Sequence, residues 1–208
     1  MILKNDLPMN QKQLQSEQTR QQIIEAATRL FAKKGFYGTS ISDLTQAVGL
    51  TKGALYHHFQ DKDAVFLAVV DSVRSTWDQS LGDEIVNQEN SLAQISALFD
   101  KHAEILGKNE FMCLVMSNLM SEMESVNPEY TIIVENLYID LIHYIEQIIH
   151  SGQSNNEIRS DLDPRIMALN VVGIFKTLGC YPQLKRITVD RKAMTDTIKK
   201  VLIDGIKK

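Results

Sequence analysis

Apolar residues recur every three or four positions along most of this chain, which is the spacing of an amphipathic helix. The first such run lies between Ser16 and Lys34 and has its apolar residues at Ile23, Ala26, Ala27, Leu30 and Phe31. Two lysines and then Gly35 follow, and basic residues before a glycine are typical of a helix end. The pattern predicts a first helix from about Ser16, preceded by a flexible, glutamine-rich N-terminal arm at residues 1–15.

Two shorter helical patterns follow the first, and they meet at a glycine. Ser40 and Asp43 have the spacing of a capping box, and the apolar residues behind them keep helical spacing up to Gly49. Thr51 can cap the helix that comes next. Two short helices joined by a glycine turn predict a helix-turn-helix over about residues 39–62.

Helical spacing continues to the end of the chain, and no strand-like alternation occurs in the sequence. Asp61 can cap a connecting helix at about residues 62–80. Further helices are expected near residues 91–106, 110–124, 128–150, 164–180 and 190–206. The predicted fold is therefore all-α with about nine helices, divided into an N-terminal helix-turn-helix domain at residues 16–62 and a larger helical domain at residues 63–208.

Charge is distributed unevenly between these two regions. The chain has 208 residues and a formal net charge of −4, with 44% hydrophobic and 23% charged residues. Residues 1–62 hold eight Lys/Arg against five Asp/Glu, whereas residues 63–208 hold fourteen against twenty-one. A basic excess that coincides with a helix-turn-helix favours double-stranded DNA as a partner of this region, while the acidic remainder avoids DNA.

Several classes of protein are disfavoured by what the sequence lacks. Cys113 and Cys180 are isolated, so neither a disulfide framework nor a structural metal site is expected, and no cofactor is implied. The chain shows neither a secretory leader nor a long uninterrupted apolar run, which predicts a cytoplasmic protein without a membrane partner. Sequence motifs of hydrolases, metalloproteases and nucleotide-binding enzymes are missing, so an enzyme is not expected. An all-helical enzyme or ligand carrier that retains a helix-turn-helix stays as the alternative.

The third predicted helix has the chemistry of a DNA-reading element. Lys52 at its start can donate to guanine O6 and N7, and Gly53 allows the backbone to approach the bases closely. Tyr56 and Lys62 suit contacts to phosphate. The adjacent histidines 57 and 58 could suggest a metal, but adjacent helical side chains diverge and no third ligand is near, so phosphate contact is the preferred interpretation.

The same region resembles a known family of regulators. The segment TRQQIIEAATRLFAKKGFYGTSISDLTQAVGLTKGALYHHFQDKDAVFLAVV, about residues 19–70, is similar to the DNA-binding half of TetR-type transcriptional repressors. The resemblance implies an all-helical homodimer with one reading head per subunit and a C-terminal domain that binds a small-molecule effector. It implies a repressor that the effector releases from its operator, with an activator or an unliganded regulator as alternatives.

By motif position, the resemblance also assigns individual contacts to DNA. It places Ser42, Lys52, Gly53 and Tyr56 at or near base edges. It assigns phosphate contacts to Thr39, Ser40, Tyr56, His57, His58 and Lys62.

Candidate effector-binding residues lie on the later helices. Met112, Met116 and Met120 form a stripe at helical spacing, and methionine adapts well to irregular ligands. Polar or aromatic groups that could join such a pocket are His102, Tyr138, His143 and Phe175. Ordinary core packing explains the same stripe equally well, so both interpretations stay open.

The resemblance assigns the dimer interface to the last two helices, which form a four-helix bundle across the two-fold axis in the family. The candidates are Val171, Val172, Gly173, Phe175, Leu178, Gly179, Met194, Ile198, Val201 and Leu202. Packing inside one subunit is the alternative for these positions.

Overall fold

The structure is a computed structural model that describes residues 10–123, 128–180 and 188–208. Within these residues the chain forms ten helices and a single isolated bridge between Ile158 and Lys207. The helices are α1 Gln11–Lys34, α2 Ile41–Val48, α3 Lys52–His58, α4 Lys62–Ser80, α5 Asp83–Val86, α6 Ser91–Lys108, α7 Phe111–Met123, α8 Pro128–Ser154, α9 Pro164–Cys180 and α10 Arg191–Ile206. The all-α prediction is confirmed, and α5 is a single turn beyond the nine helices expected.

The first helix begins earlier than the apolar pattern indicates. Asn10 caps it, and the Gln13 side chain returns a hydrogen bond to the Asn10 backbone at 2.9 Å. This capping box starts α1 at Gln11, so the expectation of an arm up to residue 15 is wrong for residues 11–15. Residues 1–9 of that arm lie outside the described residues.

The next two helices begin and end where their local signals predict. Ser40 and Asp43 form the capping box of α2, and Gly49 ends that helix with a φ of 69°. Thr51 caps α3 by accepting from the Ala54 backbone. A glycine is favoured at position 49 because other residues adopt this left-handed conformation only with strain.

A common core holds these helices against one another. Its largest fully buried side chains in this region are Ile23, Phe31, Leu44, Leu55 and Phe66. We call residues 10–61, which form α1, α2, α3 and the segments between them, the head. Capping and burial together orient α2 and α3 without help from a ligand.

The remaining helices form a larger body on which the head rests. α8 packs against α9, α7 packs against both of them, and α10 packs on α6. α1 contacts α7 and α4 as well as α2, so the head is continuous with the body. The backbone of Arg159 donates to Ile206 at 2.9 Å, which ties the end of α10 to the segment that follows α8.

Candidate nucleic-acid interface and ligand cavity

The outward face of α2 and α3 carries the predicted base-reading residues. Ser42, Lys52, Gly53 and Tyr56 are all exposed, and half of the Tyr56 surface is accessible. A Cβ added to Gly53 would have no atom within 4 Å, so this residue points away from the protein. Lys52 forms no ion pair within the described part of the chain. These groups are free to approach the edge of a base pair.

The two adjacent histidines also lie on this surface. His57 is exposed and His58 is partly buried, with their ring centroids 5.5 Å apart and the ring planes at 72°. In residues 10–123, 128–180 and 188–208, no three His, Cys, Asp or Glu side chains are placed to hold a metal ion. Phosphate contact by these histidines stays a prediction.

Ser40 has a structural task beside its predicted contact with phosphate. Its hydroxyl accepts from the Asp43 backbone at 3.1 Å, and its own backbone donates to the Asp43 carboxylate at 2.8 Å. Lys34 pairs with the same carboxylate at 2.6 Å, and Lys34 together with Ser40 holds the pKa of Asp43 well below its usual range. Ser40 remains exposed at the start of α2, and its phosphate contact stays a prediction.

Two of the side chains predicted to contact phosphate face the protein; the burial of Thr39 contradicts its contact, while the contact of the partly buried Lys62 stays a prediction. Thr39 is 1% exposed, and its hydroxyl donates to the Gly35 carbonyl at 2.7 Å. The Lys62 ammonium donates to the carbonyls of Phe36 and Thr39 at 2.9 and 3.1 Å, and it lies 4.2 Å from the Phe36 ring centroid. The Phe36 carbonyl also accepts from the Thr39 backbone at 3.2 Å, whereas the turn leaves the Thr39 carbonyl without a helical partner, and Lys62 satisfies it.

Glu122, a residue of the body, forms hydrogen bonds with the turn that follows α1. The Glu122 carboxylate on α7 accepts from the backbone of Phe36 at 2.6 Å and of Tyr37 at 3.3 Å. Gly35 has a φ of 74°, and a Cβ there would lie within 2.4 Å of the Glu122 carboxylate, so only glycine fits. Asn118, one turn earlier on α7, donates to the Ala32 carbonyl at 2.7 Å. We call these hydrogen bonds the Glu122 contact.

The body contains an apolar cavity of about 50 Å³ between α4, α6, α7, α8 and α9. Its lining residues are Trp77, Ser80, Leu81, Leu98, Lys101, His102, Ile105, Cys113, Tyr138, Leu141, Val172, Phe175 and Lys176. The structure thus brings together three of the predicted pocket residues, His102, Tyr138 and Phe175.

His102 is the central polar group of this cavity. Its ring stacks on Phe175 with centroids 4.4 Å apart, and its Nε2 lies 3.5 Å from the Cys113 sulfur. Burial lowers the pKa of His102 to about 4, so the ring is neutral near pH 7. Burial also raises the pKa of Cys113 and of Tyr138 to about 12, which keeps both groups protonated.

Four other residues predicted for the pocket do not line this cavity, and their part in effector binding stays a prediction. Met116 is fully buried in the core and Met112 is 7% exposed, while Met120 is partly buried against the same core. His143 is exposed on α8. The methionine stripe packs as core, and Cys113 on the adjoining face of α7 reaches the cavity instead.

The predicted dimer residues divide into two groups. Five of them are buried within the subunit and cannot form an interface as assigned: Val171, Val172, Phe175, Leu178 and Gly179. Gly179 allows a close approach, but inside the subunit, because a Cβ there would lie 2.4 Å from the Cys113 Cβ. Gly173 and Val201 are exposed, and Met194, Ile198 and Leu202 are partly buried.

The opposite side of α9 carries exposed apolar residues that the sequence interpretation missed. Ile166 is 60% and Leu169 is 50% exposed, and Val201 on α10 is 69% exposed. A shallow groove joins the two helices and is lined by Ile166, Leu169, Asn170, Gly173, Ile174, Thr177 and Ile198. We call these seven residues the outer face.

The head defines the class of this protein as a helix-turn-helix DNA-binding protein. A family model described as "Bacterial regulatory proteins, tetR family" matches residues 23–69, which comprise most of the head and the start of α4. A helix-turn-helix-type transcriptional regulator in the lacX 3′ region of Lactococcus lactis subsp. lactis is 30% identical over 128 residues, which are 59% of this chain and 64% of that relative. Residues 23–69 therefore carry the DNA-binding region of the TetR family of transcriptional regulators.

Solved structures extend the similarity of the fold to the body. The MbdR regulator from Azoarcus sp. CIB matches with a TM-score of 0.80 and 21% identity, covering 90% of this chain and 98% of that one. FadR from Bacillus subtilis in complex with stearoyl-CoA matches with a TM-score of 0.74 and 18% identity, covering 89% and 98%. None of the helices in the described ranges is long and apolar enough to cross a membrane.

Proposed function

We propose that the protein is a homodimeric repressor that a small-molecule effector releases from its operator. The observation that carries this proposal is the Glu122 contact, because it joins a helix that lines the cavity to the turn that precedes the DNA-reading element. α7 contributes Cys113 to the cavity wall and Glu122 to the head, so both ends of the proposed signal lie on one rigid helix.

The outer face supports dimerisation. Half-exposed isoleucine and leucine side chains on a helix of a soluble protein indicate a surface that another subunit covers. A two-fold axis through this face pairs each residue with its counterpart, and Gly173 permits close approach of the two α9 helices. The dimer then presents two α3 helices to successive major grooves, about 34–36 Å apart.

The size of the cavity supports a movement on binding. Ligand pockets commonly enclose about 300–1,000 Å³, whereas this cavity encloses about 50 Å³. An effector therefore separates the surrounding helices, and displacement of α7 moves the turn at residues 35–37 through the Glu122 contact. A conformer with a different spacing between its heads no longer matches the operator, so effector and operator weaken each other's binding by the same factor.

The stearoyl-CoA complex of the Bacillus subtilis relative supports a ligand-binding role for a body of this shape. A shared fold does not transfer the ligand, because function resides in the residues of each site.

Footprinting of the full-length protein on the DNA flanking its own coding region tests the proposal. We expect a protected, two-fold symmetric site, and Lys52→Ala should relax its sequence preference by about 1–3 kcal/mol. Lys12→Ala serves as the matched control, because Lys12 is an exposed lysine in the first turn of α1, outside the predicted base-reading residues. If the wild-type protein binds all DNA sequences equally, the proposal of a sequence-specific repressor is refuted.

A further inference from the structure

Two polar groups of the cavity have chemistry that packing within the subunit does not use. The Nδ1 atom of His102 is buried and has no hydrogen-bond partner among the described residues. Lys176 lines the cavity, is exposed, and forms no ion pair within those residues. The rest of the wall is mostly aliphatic and aromatic, so these two groups define what a bound molecule must offer.

The neighbours of His102 determine whether its unpaired Nδ1 atom is a hydrogen-bond donor or acceptor. The Cys113 thiol stays protonated, and sulfur is a weak acceptor whereas an imidazole nitrogen is a good one. The contact at 3.5 Å is therefore best formed with the thiol donating to Nε2. In a neutral ring this places the proton on Nδ1, which makes Nδ1–H a buried donor without an acceptor. An oxygen of a ligand satisfies it and removes the cost of leaving a buried donor unpaired.

The two lysines at the cavity differ in their partners. Lys101 is bound to Glu84 at 2.5 Å and to Glu104 at 3.0 Å, so its charge is already balanced. Lys176 is exposed, and its ammonium lies 5.0 Å from the Tyr138 ring centroid. Because Lys176 and His102 line the same cavity, one molecule can reach both polar groups. The exposed cation attracts an anion even though the region is acidic overall.

We infer that the effector is an apolar organic acid, bound as the free carboxylate. A carbonyl or carboxylate oxygen accepts from His102 Nδ1, the hydrocarbon part lies among the apolar walls, and the negative charge pairs with Lys176. This inference rests on the proposed function, since it names the effector of the same cavity. The free acid has both features that the cavity selects, a carbonyl-type oxygen and a negative charge, in one group, whereas a coenzyme A thioester carries its charges on phosphates at the far end of its pantetheine arm.

The single tryptophan of the chain, Trp77, lines the cavity and reports binding by its fluorescence. The full-length protein is titrated with octanoate, octanoyl-coenzyme A, methyl octanoate and octylamine. We expect octanoate to change the Trp77 emission saturably, with the neutral ester about fivefold to tenfold weaker and the amine weaker still. Octanoyl-coenzyme A should bind more weakly than octanoate, and tighter binding of the thioester overturns the inference of a free acid.

Variants separate the two polar contacts. Lys176→Ala should weaken the acid about fivefold to tenfold and leave the ester unchanged, and Lys176→Arg should restore the preference for the acid. His102→Phe keeps an aromatic ring for stacking and should weaken acid and ester alike by about tenfold. Lys200→Ala is the matched control, an exposed lysine on α10 away from the cavity.

The outcomes also separate this inference from the proposed function. Equal binding of acid, ester and amine, an unchanged affinity in Lys176→Ala, or no saturable signal from any probe overturns the inference. The footprint on operator DNA is unaffected by those results, so the repressor proposal then stands with another effector. Conversely, an acid that saturates Trp77 without weakening the footprint supports the inference and refutes effector release.

Discussion

The Glu122 contact gives a quantitative test of how the body holds the head. In Glu122→Ala the backbone donors of Phe36 and Tyr37, at 2.6 and 3.3 Å from the carboxylate, lose a charged acceptor in a partly buried position. Hydrogen bonds to charged groups contribute about 1.5–3 kcal/mol, and the longer bond adds little, so we expect the free energy of unfolding to fall by about 2 kcal/mol. Glu122→Gln keeps one acceptor oxygen without the charge and should lose about half as much.

Urea unfolding at a fixed subunit concentration measures this loss, because the stability of the proposed dimer depends on concentration. Glu17→Ala removes an exposed carboxylate from α1 and should stay within about 0.5 kcal/mol of the wild-type protein. Hydrogen exchange locates the effect, since the Phe36 and Tyr37 amides should exchange faster in Glu122→Ala while α9 is unchanged. If the free energy of unfolding falls no more than in the control, and hydrogen exchange at Phe36 and Tyr37 is unchanged, the Glu122 contact does not stabilise this turn.

Three further predictions follow from the outer face, from Lys62 and from His102. Leu169→Glu should shift the protein from dimer to monomer in analytical ultracentrifugation. Ile132→Glu, at a similarly exposed position on α8, should leave the dimer intact. A Leu169→Glu protein that stays dimeric contradicts the proposed interface. Lys62→Met should lower the free energy of unfolding by about 1.5–3 kcal/mol, because two carbonyls lose a charged donor. Lys52→Ala, the control, should change it by less than about 0.5 kcal/mol. Equal stabilities of the two variants would show that Lys62 does not support the turn. Because the pKa of His102 falls from 6.5 to about 4 on folding, its neutral form stabilises the fold fully above pH 6.5, and that stability is lost as pH falls toward 4. Between pH 7 and pH 5 the wild-type protein should lose about 2 kcal/mol more than His102→Phe, and parallel pH profiles of the two proteins would exclude this contribution.

Local signals in the sequence predicted the head well because a helix cap is a short-range hydrogen bond. Ser40, Thr51 and Asp61 each accept a backbone hydrogen bond three residues later in the chain, as their spacing predicted. The start of α1 was missed although Asn10 and Gln13 form the same kind of cap. Its first turns are polar on all sides, and an apolar period could not identify them.

Tertiary contacts that the sequence does not reveal hold two of the side chains predicted to contact phosphate. Thr39 and Lys62 occupy positions that the family resemblance associates with DNA, but their partners are carbonyls of the turn after α1. Spacing along the chain does not show which carbonyls a turn leaves unpaired, so a lysine near the reading helix was assigned to phosphate.

The cavity could be predicted only in part, because its walls come from five helices. Helical periodicity identifies a buried face but does not distinguish a packed core from a cavity wall. His102 and His143 are equally plausible by sequence, and only the packing of α6 and α8 makes one buried and the other exposed. Trp77, Lys101 and Lys176 carried no signal, since their common location depends on how α4, α6 and α9 are assembled.

The hydrogen bonds from Lys62 and Thr39 to carbonyls of the turn after α1 have a consequence for redesign. These side chains fix the turn before α2 from the protein side, while Ser42, Lys52, Gly53 and Tyr56 face outward. The support of the turn and the proposed reading of bases are therefore assigned to separate sets of residues in one segment of the chain. If the outward set reads the operator as proposed, exchanging it retargets the protein to a new operator, provided that the inward set is retained when a recognition helix is grafted.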